Sequence, residues 1–473
     1  MEMRFSRRAF LGGAAAMAVW PSDVWGVVGK HGADASSSVS SIWEHPDGTA
    51  TDSVMVRRLY LDLAGRIPTV DEAKEYVRSD SPDKREALVA RLVASPEFSD
   101  LWAMRFCDIL RVKSEFPINL WPNAVYVYHE RIRSFVENNE SWEHFGRALL
   151  VSQGSNFRDA ETNFFRATDK RNPNGWAEAV AQTFFGIAPF DLTAAMRKEL
   201  AGYFANLRLK KTREWKEEIV FSEGEDMRVG LCDRIFLAGR QAVADSFAMR
   251  VKEWIFGPQA RRNPVKGAKI CGVKDAVKSV LLSPEYAHGS ITGGFPARRL
   301  EAEILDDVFC ALSGSKRDYQ SPAPEPFTFL PPRRHTVCIE DGSVSSGFLS
   351  LFGRPARDTG LMDERRGDVT SKQRLYLFNS GSVHRKLGGA AIPRWRMPDG
   401  SVNPFYKRPV AKRIDYLYWK FLSRPPSRRE HKAIADLWNK RSNGGKNRKA
   451  DHGEMMRDVA WCIINSKEFL YRT

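Results

Sequence analysis

A mainly α protein is predicted, with two helical domains that carry duplicated helix-turn-helix units and a short irregular or β linker between them. Three observations predict it. Apolar residues recur at three- and four-residue spacing through most of the chain, a Pro-containing turn followed by a capping-box pattern occurs near both ends, and helical period lapses in the stretches 217–240 and 323–352. The length of 473 residues, with 42% hydrophobic residues and 13 tryptophans, is ample for buried cores. The boundaries expected are 1–30 for a leader, 40–210 for an N-terminal helical domain, 211–245 for a linker with short strands, and 246–473 for a C-terminal helical domain.

The leader reads Ser6-Arg7-Arg8-Ala9-Phe10-Leu11, followed by Gly12, Gly13 and the apolar run Ala14 to Trp20. Paired arginines (Arg7, Arg8) ahead of Phe10-Leu11 and a short apolar run form a twin-arginine signal peptide, the address for export in a folded state. The expectation is an exported protein of the periplasm or cell surface. The apolar run falls well short of the ~20 residues of a permanent membrane helix, and no later segment approaches that length without charge, so an integral membrane protein is not expected.

The first repeat unit starts with Leu59, Tyr60 and Leu63 on one helical face, stops at Gly65, turns at Pro68, and restarts at Thr69-x-x-Glu72. Near the other end Leu417, Tyr418 and Phe421 are followed by Ser423, Pro426 and Ser427-x-x-Glu430 at the same spacing. Each unit continues to a second match, Ser95-Pro96-Glu97-Phe98 and Ser466-Lys467-Glu468-Phe469. A third such ending, Ser283-Pro284-Glu285-Tyr286, repeats only the tail. The second unit is longer by the tract Lys440 to Lys449, whose Gly, Asn and charge content suits an exposed basic loop. Between the units, amphipathic stretches at 101–112, 124–138, 142–151, 176–185, 193–207, 247–256 and 300–312 read as helices.

Formal net charge is +15, which favours an acidic partner such as an anionic polysaccharide, or a surface protein, over a basic one. Nucleic acid is not expected, because no recognition motif occurs. The six cysteines (Cys107, Cys232, Cys271, Cys310, Cys338 and Cys462) form no C-x-x-C, which excludes zinc-ribbon and thioredoxin-type spacing; Cys107 and Cys462 read as small core residues. The nine histidines contain no H-E-x-x-H, and neither a G-x-S-x-G elbow nor a phosphate loop is present.

Several ordered motifs carry a family resemblance. At the N-terminal side they are R-R-L-Y-L-D-L-A-G-R-I-P-T at Arg57 to Thr69, L-V-A-S-P-E-F at Leu92 to Phe98, Gly154-Ser155-Asn156-Phe157, Asn163-Phe164-Phe165-Arg166-Ala167 and Gln182-Thr183-Phe184-Phe185-Gly186. At the C-terminal side they are R-R-L-E-A-E-I-L-D-D at Arg298 to Asp307, F-G-R-P-A-R-D at Phe352 to Asp358, Leu422 to Pro426, and Asn465 to Leu470. The chain resembles exported planctomycete-type proteins in which a planctomycete-specific cytochrome-type domain of unknown function precedes a second planctomycete-specific domain of unknown function. The resemblance implies a C-x-x-C-H haem-attachment stretch after Gly186, but Ile187-Ala188-Pro189-Phe190-Asp191 stands there, and Thr359 to Met362 lack the cysteines that the family carries after its G-R-P-x-R-D segment. A short, haem-less member is therefore expected, with no covalent haem and no other cofactor.

The candidate site residues are Arg298, Arg299, Glu303, Arg354, Arg357 and Asp358. On a helix, Arg299 and Glu303 are i,i+4 neighbours, which serves either an ion-paired face or, with Glu301, Asp306 and Asp307, a hard-cation or acid–base site. Arg354, Arg357 and Asp358 lie in a loop fixed by Gly353 and Pro355, suited to bidentate capture of a carboxylate or sulfate or to bracing the loop on a helix end. The function expected is a binding or assembly component of a cell-surface or periplasmic system, linked by analogy to polysaccharide handling. The alternatives are an exported hydrolase or redox enzyme using the carboxylate and arginine residues, and an accessory to a haem-bearing relative.

Overall fold

The computed structural model describes residues 42–290, 294–325, 327–328, 330–331, 334–391, 401, 403–442 and 448–473. The export signal expected at Arg7, Arg8, Phe10 and Leu11, and the centre of the basic tract at 443–447, lie outside the described residues. The chain is mainly α. Its longer helices are α1 (Asp52–Leu63), α2 (Val70–Arg78), α3 (Lys84–Val93), α4 (Pro96–Ile109), α5 (Pro122–Glu137), α6 (Trp142–Val151), α7 (Pro173–Phe185), α8 (Ala194–Gly202), α9 (Arg240–Phe256), α10 (Val273–Leu281), α11 (Ala302–Ser313), α12 (Ser371–Asn379), α13 (Gly381–Ala391), α14 (Val410–Leu422), α15 (Arg428–Ser442) and α16 (Arg448–Ile464). None of the described helices is long and apolar enough to cross a membrane.

The repeat is reproduced in its bonding. In the first copy, α1 ends before Gly65 at φ +62°, and the Thr69 hydroxyl accepts from the Glu72 amide at 3.2 Å while Glu72 reaches back to the Thr69 amide at 2.7 Å. Arg66 closes the turn with two 2.9 Å bonds to Glu72. The second copy has Ser423 at φ +60°, the Ser427 and Glu430 pair at 3.2 and 2.6 Å, and Arg424 on Glu430 with two 2.9 Å bonds. Ser95, Ser283 and Ser466 each accept from the amide three residues on and donate to a carbonyl three residues back. The aromatic residue of each ending, Phe98, Tyr286 and Phe469, is fully buried. Capping therefore fixes where each following helix starts, and the buried ring fixes which side faces the core.

The core is rich in aromatic rings. Phe106 meets Trp254 at 5.0 Å, Phe135 stacks on Phe145 at 4.2 Å, and Trp142 stacks on Phe247 at 5.1 Å, which ties α4, α5, α6 and α9 together. Such rings each bury roughly 150–250 Å² and add pairwise geometry to that burial. A small antiparallel sheet, β1 (Gly154–Ser155), β2 (Leu207–Lys211) and β3 (Glu218–Ser222), has the order β1-β3-β2 and pairs Gly154 with Val220 and Leu209 with Val220. Residues 217–240, expected without helical period, contain β3, a short helix Arg228–Asp233 and a π-turn Arg234–Ala238. Their Leu231, Phe236 and Val220 are buried in the same core as α6 and α7, so packing rather than local period sets their conformation.

The two ends of the described chain meet. Arg57 of α1 donates to the Phe421 carbonyl at 2.7 Å and the Phe469 carbonyl at 3.1 Å, while its neighbour Arg58 donates to the Tyr286 carbonyl at 2.6 Å. Burial lowers both arginines to about 10. A two-stranded pairing joins β4 (Arg298–Arg299) to β5 (Tyr471–Arg472), and Arg472 is ion-paired with Asp62 of α1.

Candidate functional site

Three of the residues singled out in the sequence, Glu303, Arg354 and Arg357, converge with Glu301 on one buried lattice of charge. Asp108, at the end of α4, accepts from Arg357 Nε at 2.9 Å and from Arg365 at 2.7 and 3.0 Å. Arg365 also holds Glu303 of α11 with bonds of 2.7 and 3.1 Å, and Arg354 Nε lies 3.3 Å from the same carboxylate. Glu301 faces Arg105 of α4 at 3.3 Å. Burial opposes the charge of Glu301, yet Arg105, Arg365, Arg298 and Arg472 pull its carboxyl down to about 2. Glu303 is likewise lowered against its burial by Arg365 and Arg354.

The structure corrects part of the sequence expectation. Arg298 and Arg299 are not on a helix: they form β4, and α11 begins only at Ala302. The cause is tertiary, because pairing with Tyr471–Arg472 fixes an extended backbone. Arg299 consequently makes no i,i+4 pair with Glu303 and donates instead to the carbonyls of Phe352 at 2.7 Å and Arg366 at 3.0 Å. Arg298 donates to the Trp254 carbonyl at 2.9 Å. Arg357 takes a left-handed φ of +60° and, besides Asp108, donates to the carbonyls of Val112 and Glu340, while Asp358 pairs with Lys113. Glu303 is fully buried, Arg357 is 1% exposed, and their charged atoms face partners within the chain. The geometry is that of a brace between α4, α11 and the loop 352–366. Asp108 and Arg365 went unremarked in the sequence, since each finds its partner only across the fold.

Two clefts lie elsewhere. One of about 540 Å³ is lined by Leu237, Arg240, Gln241, Ala244, Lys269 and Ile270. The other, about 160 Å³, includes Asp307, Cys310, Arg317, Arg334 and His335 in its wall. Its charges pair off as Arg317 with Asp306, Arg334 with Glu340 and His335 with Asp307. The Asp307 hydrogen bond raises the His335 pKa. Among the described residues no group of three or more His, Cys, Asp or Glu side chains is arranged to hold a metal ion.

The surface carries a different constellation. Trp121, Trp215 and Phe327, from three distant segments, form a ring triangle with centroid separations of 4.6 Å (Trp121 to Trp215), 4.6 Å (Trp215 to Phe327) and 5.8 Å (Trp121 to Phe327). Trp215 is 54% exposed and Phe327 41%. The Lys216 ammonium sits 5.0 Å from the Trp121 ring and 5.6 Å from the Trp215 ring. Both Trp121 (φ +75°) and Lys216 (φ +65°) occupy the left-handed region, which is costly for bulky side chains.

What holds that strain is a buried polar network beneath the rings. Asn156 takes the Glu218 amide at 2.8 Å and donates to the Lys216 carbonyl at 3.3 Å. Asn163 donates to the Asn156 carbonyl at 2.9 Å. Arg166 spans Glu218 at 2.7 Å, Asn163 at 3.1 Å and the Leu120 carbonyl at 3.2 Å, and Arg171 adds Glu218 at 3.1 Å and the Ile118 carbonyl at 2.8 Å. The loop before α5 and the β2–β3 hairpin are thus fastened to one another by satisfied buried groups, the arrangement that makes a surface rigid before any ligand arrives.

Residues 39–202 match PSCyt2, described as a protein of unknown function (DUF1549), and residues 287–438 match PSD1, likewise described as a protein of unknown function (DUF1553). The chain belongs to the PSCyt2–PSD1 proteins. Neither a curated protein nor a solved structure matches it significantly. The charge lattice is therefore a seam between the PSCyt2 part (Arg105, Asp108) and the PSD1 part (Glu301, Glu303, Arg354, Arg357, Arg365). The ring triangle takes Trp121 from the PSCyt2 part, Phe327 from the PSD1 part, and Trp215 from the segment between them.

The PSCyt2 motifs Gly154 to Phe157 and Asn163 to Ala167 acquire a physical role in this chain, since Asn156, Asn163 and Arg166 are the supports of the platform. Sequence reasoning registered them only as matches and missed the rings above them. The signal available was the aromatic-basic turn Arg213-Glu214-Trp215-Lys216. Where the resemblance places a haem-attachment stretch, Ile187 to Asp191 leave α7 through Gly186 in the left-handed conformation, with Phe190 80% exposed.

Proposed function

We propose that the protein is an exported binding component of a periplasmic or cell-surface system, and that it binds polysaccharide on the platform of Trp121, Trp215 and Phe327. The observation that carries this reading is the platform itself: two exposed rings and a half-buried one from three segments, with the left-handed backbone at Trp121 and Lys216 held by a buried polar network. Exposed ring faces stack on the C–H faces of sugars, and a rigid platform loses little conformational entropy on binding. The charged residues that suggested chemistry are occupied in bracing, which supports binding over catalysis. Export rests on Arg7, Arg8, Phe10 and Leu11.

Affinity electrophoresis of the purified mature chain through gels containing a panel of soluble polysaccharides tests the binding. Retardation by at least one glycan, relieved by Trp215→Ala, is expected; migration unchanged by every glycan refutes the reading. For export, residues 1–45 fused to a fluorescent reporter are expected to leave the cytoplasm of a twin-arginine-competent cell. Substituting Arg7 and Arg8 together by Lys should retain the reporter inside. A reporter exported equally well by both forms removes the basis for the address.

A further inference from the structure

Resting on the platform reading, the geometry points to a carboxylated, uronic-acid-type polysaccharide as the ligand, with the Lys216 ammonium meeting a sugar carboxylate while Trp121 and Trp215 take the ring faces. Lys216 is placed for this by its own backbone. Its left-handed φ and the 3.3 Å bond from Asn156 to its carbonyl set the turn, and its ammonium stands over the exposed Trp215 ring and the half-buried Trp121 ring. Among the described residues no carboxylate is ion-paired with that ammonium: Glu217 is bonded to Ser155 and Thr212, and Glu218 to Arg166 and Arg171.

The surrounding charge has the sign that such a chain requires. Lys210, Lys211, Arg213 and Lys216 are exposed on the hairpin, against Glu214 as the exposed acid of its turn. Across the platform Glu115 and Glu325 are exposed as well, so the hairpin side is the cationic side and the carboxylates of the ligand face it. A neutral glucan uses the rings and leaves the cations idle. A simple polyanion without sugar faces uses the cations and leaves the rings idle. Carboxylate and apolar sugar face together use both, and the juxtaposition of ammonium and indole faces at 5.0 and 5.6 Å is what distinguishes this surface from a generally basic one.

The test uses the mature full chain with polygalacturonate and its fully methyl-esterified form, titrated by affinity electrophoresis at low and at moderate salt, alongside Trp215→Ala, Lys216→Met and, as a charge control in the other half of the molecule, Lys372→Met. The wild type is expected to bind polygalacturonate more tightly than the ester. Lys216→Met should weaken the acidic ligand by about 2- to 5-fold and leave the ester unchanged, the range of an exposed charge pair. Trp215→Ala should weaken both by about 10-fold or more, as loss of an aromatic anchor does. Unchanged melting temperatures establish that the variants are folded. If Lys216→Met matches the wild type, or Lys372→Met weakens the acidic ligand equally, the carboxylate inference is overturned. If Trp215→Ala still weakens the ester, the polysaccharide reading stands without it. If Trp215→Ala changes neither ligand, both fall.

Discussion

Two arginines in equivalent turns of the repeat provide a controlled measurement of what burial adds to an ion pair. Arg66 and Arg424 each make two 2.9 Å bonds to the glutamate six residues on. Their surroundings differ: the Arg66 side chain is 31% exposed and Glu72 27%, whereas Arg424 is 4% exposed and also holds Glu468, 6% exposed, at 2.6 and 2.7 Å. Arg66→Met removes a solvent-screened pair and should cost about 1 kcal/mol or less. Arg424→Met leaves two carboxylates without their counter-ion, one of them deeply buried, and should cost about 3–5 kcal/mol. With an unfolding entropy of ~2.1 cal/mol/K per residue, a chain of this size changes its melting temperature by about 1 °C per kcal/mol. Scanning calorimetry should therefore show a fall of about 3–5 °C for Arg424→Met and about 1 °C or less for Arg66→Met. Equal falls, or a larger one for Arg66→Met, would refute the argument that burial sets the difference.

Acid should loosen the seam between the halves. Glu301 has a folded pKa lowered to about 2, so its stabilising contribution is complete above the unfolded carboxyl value of ~4.3 and is lost as pH falls toward 2. The shift corresponds to about 3 kcal/mol at neutrality, and Glu301→Gln should flatten the stability curve between pH ~4.5 and 2, as read by urea midpoints. Burial pushes the thiols of Cys107 up to about 12 and of Cys232 and Cys462 to about 11, and none of the six cysteines is disulfide-bonded. Iodoacetamide at pH 7 should leave those three unmodified in native protein and alkylate them after denaturation; mass spectrometry showing native modification of Cys107 would contradict its burial. Gly175→Ala should abolish soluble expression or lower the melting temperature by several degrees, because a methyl group there collides with the Lys170 carbonyl. A variant as stable as the parent would show that this turn can relax.

What could be read from the sequence was whatever is encoded locally. The Thr69 and Ser427 capping boxes start helices where their patterns said they would, because a hydroxyl and a first-turn amide lie within four residues of each other, and the serines at 95, 283 and 466, read in the sequence as endings, cap following helices in the same way. The third ending at Ser283, which matches only the tail of the unit in sequence, makes the same pair of bonds. Arg298 and Arg299 resisted, since the strand that holds them straight lies at Tyr471–Arg472, beyond any local window. Of the candidate site, the sequence located charged residues that do come together, but their partners Asp108 and Arg365 are distant in the chain. Trp121 is the sharper case. A bulky residue ahead of Pro122 gives no hint of a left-handed φ, and that conformation is what aims it toward Trp215 and Phe327.

The adjacent arginines of α1 have a consequence for how such proteins are inherited. Arg57 reaches carbonyls at Phe421 and Phe469, and Arg58 one at Tyr286, all supplied from the distal part of the chain. A gene cut after residue 202, where the PSCyt2 match ends, would strand two guanidinium groups in an apolar interior, and one that began at residue 287, where the PSD1 match starts, would leave the carbonyls at Phe421 and Phe469 without the donor that serves them. Neither half is a module that recombination can pass on alone at little cost. In this chain the joining of the two segments in one reading frame is thus favoured by two consecutive codons of its first described long helix.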